Sequence, residues 1–230
     1  MPMSSRETQQ QLFQAFARVA DGLAHGHRIA LLELLAQGER DVETLAQHLA
    51  LSVATVSQHL QRLKRAGLVV ARREGRRQVY RLASPKVSGL LASLQRLAEE
   101  CLVDVEKLVS EEIDARDAIP PVSAAELERL LESGQALLLD VRPAEEFAAG
   151  HIPGAINVPL ERLMEDIESL PGNREIVVYC RGPYCMLTLD ALEMLRARGL
   201  SVRRLEPGVP AWHGAGRPVE KNAPGDTPDA

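Results

Sequence analysis

Residues 52–82 read SVATVSQHLQRLKRAGLVVARREGRRQVYRL, and this stretch decides the fold of the first half of the chain. Up to Gly67, apolar residues recur every three or four positions, which predicts a helix with Ser52 as its N-cap. Beyond Gly67, two β-rich runs flank Glu74-Gly75-Arg76, which is typical of a β-hairpin. The core side of the helix is predicted to consist of Val53, Val56, Leu60 and Leu63.

Helical patterns also precede this stretch, and the last of them ends at a tight turn over residues 50–52. Two short helices joined by such a turn and followed by a basic hairpin form an arrangement that can bind duplex DNA. From Gln58 to Ala83 there are eight basic residues and one acid, although the chain of 230 residues has a net charge of −5. A local basic segment in an acidic chain indicates a site for a polyanion.

Polar and basic side chains are expected on the outward side of this helix and on the hairpin. There they can contact base edges in the major groove, phosphates or the minor groove. The alternative is the ordinary solvated face of a small helical domain. The candidate DNA-binding residues are Ser52, Thr55, Ser57, Gln58, His59, Gln61, Arg62, Arg65, Arg72, Arg73, Arg76 and Arg77.

A long apolar stripe follows, and it predicts one helix from Val87 to Val109. The stripe is longer than the preceding small domain can cover, which favours the same helix of a second subunit as its partner. Cys101 lies on this stripe, either as a small buried hydrophobe or as a sensor thiol.

The second half of the chain has an α/β rhythm. A polar segment that ends in Pro120-Pro121 reads as a linker, and strands alternate with helices after it, which indicates a mostly parallel sheet. Strands are predicted over 136–141, 176–179 and 201–205, and helices over 124–131 and 187–198. The predicted organisation is a mainly α domain over 1–112, a linker over 113–120, an α/β domain over 121–221 and a flexible tail over 222–230.

Residues 176–187 read IVVYCRGPYCML, and Cys180 stands where a strand meets a loop. A helix begins after the loop, so backbone amides and the helix N-terminus would favour a thiolate at Cys180. Arg181 adds a positive charge nearby. The alternative is a buried cysteine at the end of a strand, without chemistry.

The stretch VETLAQHLALSVATVSQHLQRLKRAGLVVARREGRRQVYRL resembles the ArsR family of winged-helix repressors, and the resemblance covers residues 10–110. It implies a homodimer on an inverted repeat of double-stranded DNA, released by an inducer. Many members sense metals through cysteines in the region of Glu39–Glu43, where this sequence has none. His25 and His27 are close in sequence, but such a pair is more often on the surface or at a cap, so no metal site is expected.

The stretches LLLDVRPAEEFAAGHIPGAINVP, VVYCRGPYC and GVPAWHGAGRPV resemble a rhodanese domain over residues 121–220. The resemblance implies an α/β domain with a parallel sheet, in which Cys180 holds a sulfane sulfur as a persulfide. A loop of six residues from Cys180 to Cys185 is the length associated with sulfur transfer. Cys185 either resolves the persulfide or packs the loop. The site residues implied are Cys180, Arg181, Gly182, Tyr184 and Cys185, with Asp140 and Arg142 as structural supports.

These observations predict two domains, a mainly α winged helix-turn-helix with a β-hairpin wing and an α/β rhodanese domain. The function expected is a DNA-binding regulator that senses reactive sulfur or redox state. The alternative is a sulfurtransferase for thiosulfate or polysulfide, with the helix-turn-helix for dimerisation or localisation. The expected partners are double-stranded DNA, a sulfane-sulfur donor and a second copy of the chain, with no cofactor. The polar N-terminus and the lack of a long apolar window favour a cytoplasmic protein without membrane contact.

Overall fold

The computed structural model describes residues 4–170 and 174–222, and the chain divides into two compact units, Met1–Leu91 and Ala92–Ala230. Each unit has its own buried core. The predicted tail lies outside the described residues except for Asn222. The mainly α first unit and the α/β second unit confirm the predicted fold class.

The first unit packs helices against a three-stranded antiparallel sheet, in which β3 lies between β1 and β2. Glu74 pairs with Arg77 at the tip of the hairpin, where Gly75 has a φ of +59°. Its elements are α1 (Ser5–Leu23), α2 (Gly26–Ala36), β1 (Arg40–Asp41), α3 (Val42–His48), α4 (Val53–Arg65), β2 (Val69–Glu74), β3 (Arg77–Leu82) and the start of α5 (Lys86–Cys101).

Helix α4 begins and ends as its sequence predicts. The side-chain oxygen of Ser52 accepts a hydrogen bond of 3.1 Å from the Thr55 N–H, and Gly67 follows the helix with a φ of +75°. Three of its four predicted core residues are fully buried, but Val53 is 46% exposed, which corrects the prediction. Side chains of a helix lean toward its N-terminus. Val53 is the first residue of α4, so its side chain extends beyond the helix turns that pack against the core.

The single helix predicted from Val87 to Val109 is wrong. Helix α5 ends at Cys101, Leu102 is extended with φ −115° and ψ 108°, and α6 (Val103–Val109) and a π-helical turn (Ser110–Asp114) follow. Acidic residues in the first turn of α6 favour a new helix start at this point. Cys101, for which burial was one expectation, is exposed at the end of α5.

The second unit is built around a parallel sheet of strand order β5-β4-β6-β7. Along β4, Leu137 and Leu139 face one core cluster and Leu138 faces the other, so helices cover the sheet on both faces. Its further elements are α7 (Ala124–Glu132), β4 (Ala136–Asp140), α8 (Ala144–Ala149), β5 (Ile156–Asn157), α9 (Leu163–Asp166), β6 (Glu175–Tyr179), α10 (Met186–Ala197), β7 (Val202–Arg204) and α11 (Val209–Gly214).

The segment predicted as a linker packs onto the second unit. Ile113 is 5% exposed within a core cluster, and the buried Asp117 accepts a hydrogen bond of 2.7 Å from the Arg196 guanidinium. Arg116 lies 2.7 Å from both Asp190 and Glu193. The division between Leu91 and Ala92 therefore differs from the predicted boundary at residue 112. No helix in the described ranges is long and apolar enough to cross a membrane.

Candidate functional sites

The outward face of α4 is polar and accessible. Burial of Val56, Leu60 and Leu63 turns the opposite side of the helix to solvent. The Gln61 amide donates a hydrogen bond of 3.3 Å to the Tyr80 hydroxyl of β3, so it is held against the hairpin. The residues predicted on this face divide into exposed Ser52, Gln58, Gln61, Arg62 and Arg65 and half-buried Thr55, Ser57 and His59.

The four hairpin arginines predicted to contact DNA differ in how far their charge is already paired. Arg72 lies 2.7 Å from Glu39 and also contacts Glu74, and Arg77 lies 3.3 Å from Asp41. Arg73 donates to the Gly75 carbonyl oxygen over 3.1 Å. Arg76, at the turn, makes no side-chain hydrogen bond or ion pair within the described residues. Among these four, Arg73 and Arg76 have no carboxylate partner within the described residues, and Arg76 also makes no side-chain hydrogen bond there.

Asp41 and Glu39 are wing partners that the sequence pattern did not reveal. The hydrogen bond from the Thr44 N–H holds the pKa of Asp41 below its usual value, and Arg77 lowers it further. Asp41 is also the N-cap of α3, so one carboxylate serves both the helix start and the wing.

Three histidines of the first unit lie side by side. The ring centroids of His25 and His59 are 4.5 Å apart, and those of His25 and His27 are 5.1 Å apart. Burial, and then the neighbouring His25 and His27, lower the pKa of His59. His59 is 32 positions from His27 in the sequence, so no local pattern joins it to the pair of His25 and His27.

In the second unit, Cys180 follows β6 and is 2% exposed. Its sulfur is bonded to that of Cys185, which precedes α10, and the two Cα atoms are 6.3 Å apart. The Cys185 N–H donates 3.1 Å to the Gly182 carbonyl oxygen, so this amide is engaged rather than free to cradle an anion. The loop thus brings both predicted cysteines together at the carboxyl end of a central strand.

Gly208 permits the close packing of this loop. A Cβ atom at Gly208 would lie 2.0 Å from the Arg181 carbonyl oxygen and 2.7 Å from the Gly182 nitrogen. A glycine is therefore required where the segment before α11 crosses the cysteine loop. The motif GVPAW contained this residue, but nothing in the spacing indicated which backbone it approaches.

The charge of Arg181 is held by a buried partner. Its Nη2 lies 2.7 Å from Oε1 of Glu146, which is fully buried, and its Nε lies 3.0 Å from Oε2. A guanidinium paired in this bidentate way exerts a weaker field at Cys180 than the free cation expected from the sequence. Arg181 thus anchors the loop to α8.

Asp140 and Arg142 are both completely buried and pair at the end of β4. Arg142 Nη2 donates 2.5 Å to Asp140 Oδ2 and 2.9 Å to the Gly150 carbonyl oxygen. Asn157 adds hydrogen bonds from its amide to the carbonyl oxygens of Asp140 and Arg142, at 3.0 and 2.9 Å. This network fixes the turn after β4, next to β6, the strand that Cys180 follows.

Tyr184 has a partner that is distant in the sequence. Its hydroxyl donates 2.5 Å to Oε2 of Glu99 in the last turn of α5. Burial, and then this hydrogen bond, raise the pKa of Tyr184 to about 12. Both residues line a cavity of about 530 Å³ in the second unit, together with Trp212 and Arg217.

Comparisons with known proteins match both units. The model of the arsR family of bacterial regulatory proteins matches residues 25–70, and that of the rhodanese-like domain matches residues 123–215. The HTH-type transcriptional regulator Rv0324 of Mycobacterium tuberculosis is 47% identical over 214 residues, which are 93% of each chain. The putative sulfurtransferase YtwF of Bacillus subtilis is 33% identical over 101 residues, which are 44% of this chain and 96% of the relative.

A solution NMR structure from Mycobacterium bovis is 45% identical, covers 45% of this chain and 94% of that chain, and has a TM-score of 0.40. It is described as a homodimeric winged helix-turn-helix DNA-binding domain of a possible ArsR-family transcriptional regulator. Since the similarity to the M. tuberculosis regulator extends over both units, this chain belongs to the ArsR family of bacterial regulatory proteins and is a DNA-binding transcriptional regulator with a rhodanese-like domain.

Proposed function

We propose that the rhodanese-like domain is the sensory input of this regulator, and that Cys180 takes up sulfane sulfur as a persulfide. The observation that carries the proposal is the reach between the two cysteines: the sulfur of Cys185 lies at bonding distance from that of Cys180. From this position the Cys185 thiolate can attack a persulfide on Cys180 within the same loop. A cysteine that only packs the loop would not need its sulfur at this position.

The chemistry has two steps. The Cys180 thiolate attacks the outer sulfur of a donor such as thiosulfate, whose S–S bond breaks so that sulfite leaves with the electron pair. The Cys185 thiolate then attacks Sγ of Cys180, hydrosulfide leaves, and the Cys180–Cys185 disulfide forms. The disulfide and the reduced dithiol are the two states that would differ in affinity for DNA.

The test compares operator binding before and after treatment with thiosulfate or polysulfide, using DNA fragments that the protein retains from genomic DNA. We expect the Kd for these fragments to change in the wild type and to stay constant in Cys180→Ser. Mass spectrometry should find one added sulfur on the Cys180 peptide, and that persulfide should live longer in Cys185→Ser. Cys101→Ser, at the exposed free cysteine, is the matched control and should respond like the wild type.

Two outcomes would contradict the proposal. If Cys180→Ser responds to the donor like the wild type, this cysteine is not the input. If treatment forms the persulfide but leaves the Kd for DNA unchanged while thiosulfate and cyanide turn over, the chain acts as a sulfurtransferase with the helix-turn-helix for dimerisation or localisation. In this mechanism the chain acts in the cytoplasm, where reductants convert the Cys180–Cys185 disulfide back to two thiols.

We also propose that the regulator binds an inverted repeat as a homodimer. Large apolar side chains are exposed on α1 and α5, among them Phe13 at 60%, Phe16 at 62% and Leu97 at 57%. Exposed apolar side chains of this size on each of the two helices are typical of an interface, and a second copy offers the same helices as partners. Leu97→Asp should give monomers in sedimentation, whereas Met164→Asp, at an apolar residue 44% exposed elsewhere, should not. A monomeric wild type would contradict the homodimer.

A further inference from the structure

We propose that His25, His27 and His59 form a binding site for a divalent transition-metal ion, with Zn²⁺ as the ion that fits best. Each ring offers one nitrogen, and these three nitrogens all lie within 4.8 Å of one another. The site joins the start of α2 to the middle of α4. It is separate from the cysteine loop and does not rest on the proposed sulfur chemistry.

The distances suit an ion after small rotations of the side chains. A tetrahedral Zn²⁺ with bonds of about 2.0–2.1 Å to histidine nitrogens holds them about 3.3 Å apart. His25 and His27 are exposed at the first turn of α2, so their rings can turn toward the half-buried His59. The ring centroids of His27 and His59 are 5.5 Å apart, which leaves room for an ion between them.

His59 has an unused ring nitrogen. Its Nδ1 is buried and has no hydrogen-bond partner within the described residues. A buried polar atom without a partner is uncommon, and a bond to a metal would satisfy it. The cations Arg28 and Arg62 lie near His59 and oppose a further positive charge, so the bonds from the imidazole nitrogens have to outweigh this repulsion. The Arg28 guanidinium is directed at the carbonyl oxygens of Gly22 and Asp21, each at 2.7 Å.

His25 is the N-cap of α2, and this role would have to change when the three histidines bind an ion. Its Nδ1 accepts a hydrogen bond of 3.2 Å from the His27 N–H and so caps α2. A neutral imidazole has one lone pair, so His25 either caps the helix or binds the ion. Metal binding therefore replaces this long hydrogen bond, and a substitution can separate the two roles.

The donor set selects the ion. Three imidazoles without thiolate or carboxylate suit Zn²⁺, Cu²⁺, Ni²⁺ or Co²⁺ rather than Mg²⁺ or Ca²⁺. A fourth position remains open to water because two of the rings face solvent.

The test uses the full chain with its three cysteines replaced by serine, so that thiolates cannot bind the ion. After removal of metals with a chelator, we expect one Zn²⁺ per chain in competition with a chromophoric indicator, and a visible d–d spectrum with Co²⁺. His25→Asn keeps an N-cap residue but loses the ligand, and His27→Gln loses a ligand only. Both should weaken Zn²⁺ binding at least about 100-fold, since even outer partners of a metal site contribute about 10–100-fold.

His213→Gln, at an exposed histidine of α11, is the matched control and should bind like the parent chain. Zn²⁺ should also raise the Tm of the parent and of the control, but not that of His25→Asn. A chain that binds less than one ion, or a His25→Asn variant that binds as tightly as the parent, would overturn the proposal.

Discussion

The hydroxyl of Tyr184 donates a hydrogen bond of 2.5 Å to Oε2 of Glu99, and so joins the cysteine loop to the last turn of α5. The two residues are 85 positions apart in sequence. Because the bond needs a protonated phenol, its contribution depends on pH.

The first prediction concerns this alkaline dependence. The folded-state pKa of Tyr184 is raised to about 12, whereas an unfolded tyrosine titrates near its usual pKa of about 10. The stabilisation is therefore fully present below about pH 10 and is lost as the pH rises toward 12. Tyr184→Phe should flatten the fall of the free energy of unfolding over this window, measured by urea unfolding. An unchanged pH profile in Tyr184→Phe would remove the bond from the explanation.

The second prediction concerns the buried pair of Asp140 and Arg142. Arg142→Leu leaves the Asp140 carboxylate unpaired in a fully buried place, which should cost about 3–5 kcal/mol of stability. Arg162→Leu is the matched control, because Arg162 is 52% exposed and pairs with Asp166 on the surface. Its loss should cost about 0–1 kcal/mol. Equal urea midpoints for the two variants would contradict the structural role of Arg142.

The third prediction separates two kinds of DNA contact. Arg76→Ala should weaken binding to all sequences and lower the slope of log K against log salt by about 0.9, the value for one phosphate. Arg77→Ala should have a smaller effect, because Asp41 already pairs with Arg77. Gln58→Ala should instead weaken operator DNA by about 1–3 kcal/mol relative to random DNA. The measurement is the Kd on both DNAs at several salt concentrations, and equal losses in all variants would contradict these assignments.

The fourth prediction tests the close approach at Gly208. An added methyl group would meet the Arg181 carbonyl oxygen at 2.0 Å, so Gly208→Ala should displace the cysteine loop and slow persulfide formation at Cys180. Gly214→Ala is the control, since no atom lies within 4 Å of the Cβ it would add. Labelling of Cys180 by a sulfane-sulfur donor measures the effect. A normal labelling rate in Gly208→Ala would show that the loop tolerates the shift.

The parts of the fold that the sequence predicts are those set by local chemistry. Helix α4, with its cap at Ser52 and its buried Val56 and Leu60, follows from spacing within one helix. The parallel sheet follows from apolar runs that alternate with helices. The break at Leu102 was missed because the apolar stripe continues across it, and only the backbone shows that the helix restarts.

The residues of the candidate sites likewise follow from the sequence only where local patterns place them. Cys180 and Cys185 were found from one short motif, because the strand, loop and helix that place them are contiguous. The contacts of Tyr184 with Glu99 and of Arg181 with Glu146 join residues 85 and 35 positions apart, and no local pattern encodes them. The approach of His59 to His25 likewise depends on how α4 packs against α2.

The covalent bond between Cys180 and Cys185 has a consequence for how long a signal would last. An inducer that binds reversibly leaves when its concentration falls, and the response ends with it. A disulfide persists after its donor is gone, until another thiolate attacks it. In the proposed mechanism, the donor sets when the response begins, but the supply of cellular thiol reductants sets when it ends, so the regulator keeps a record of past exposure.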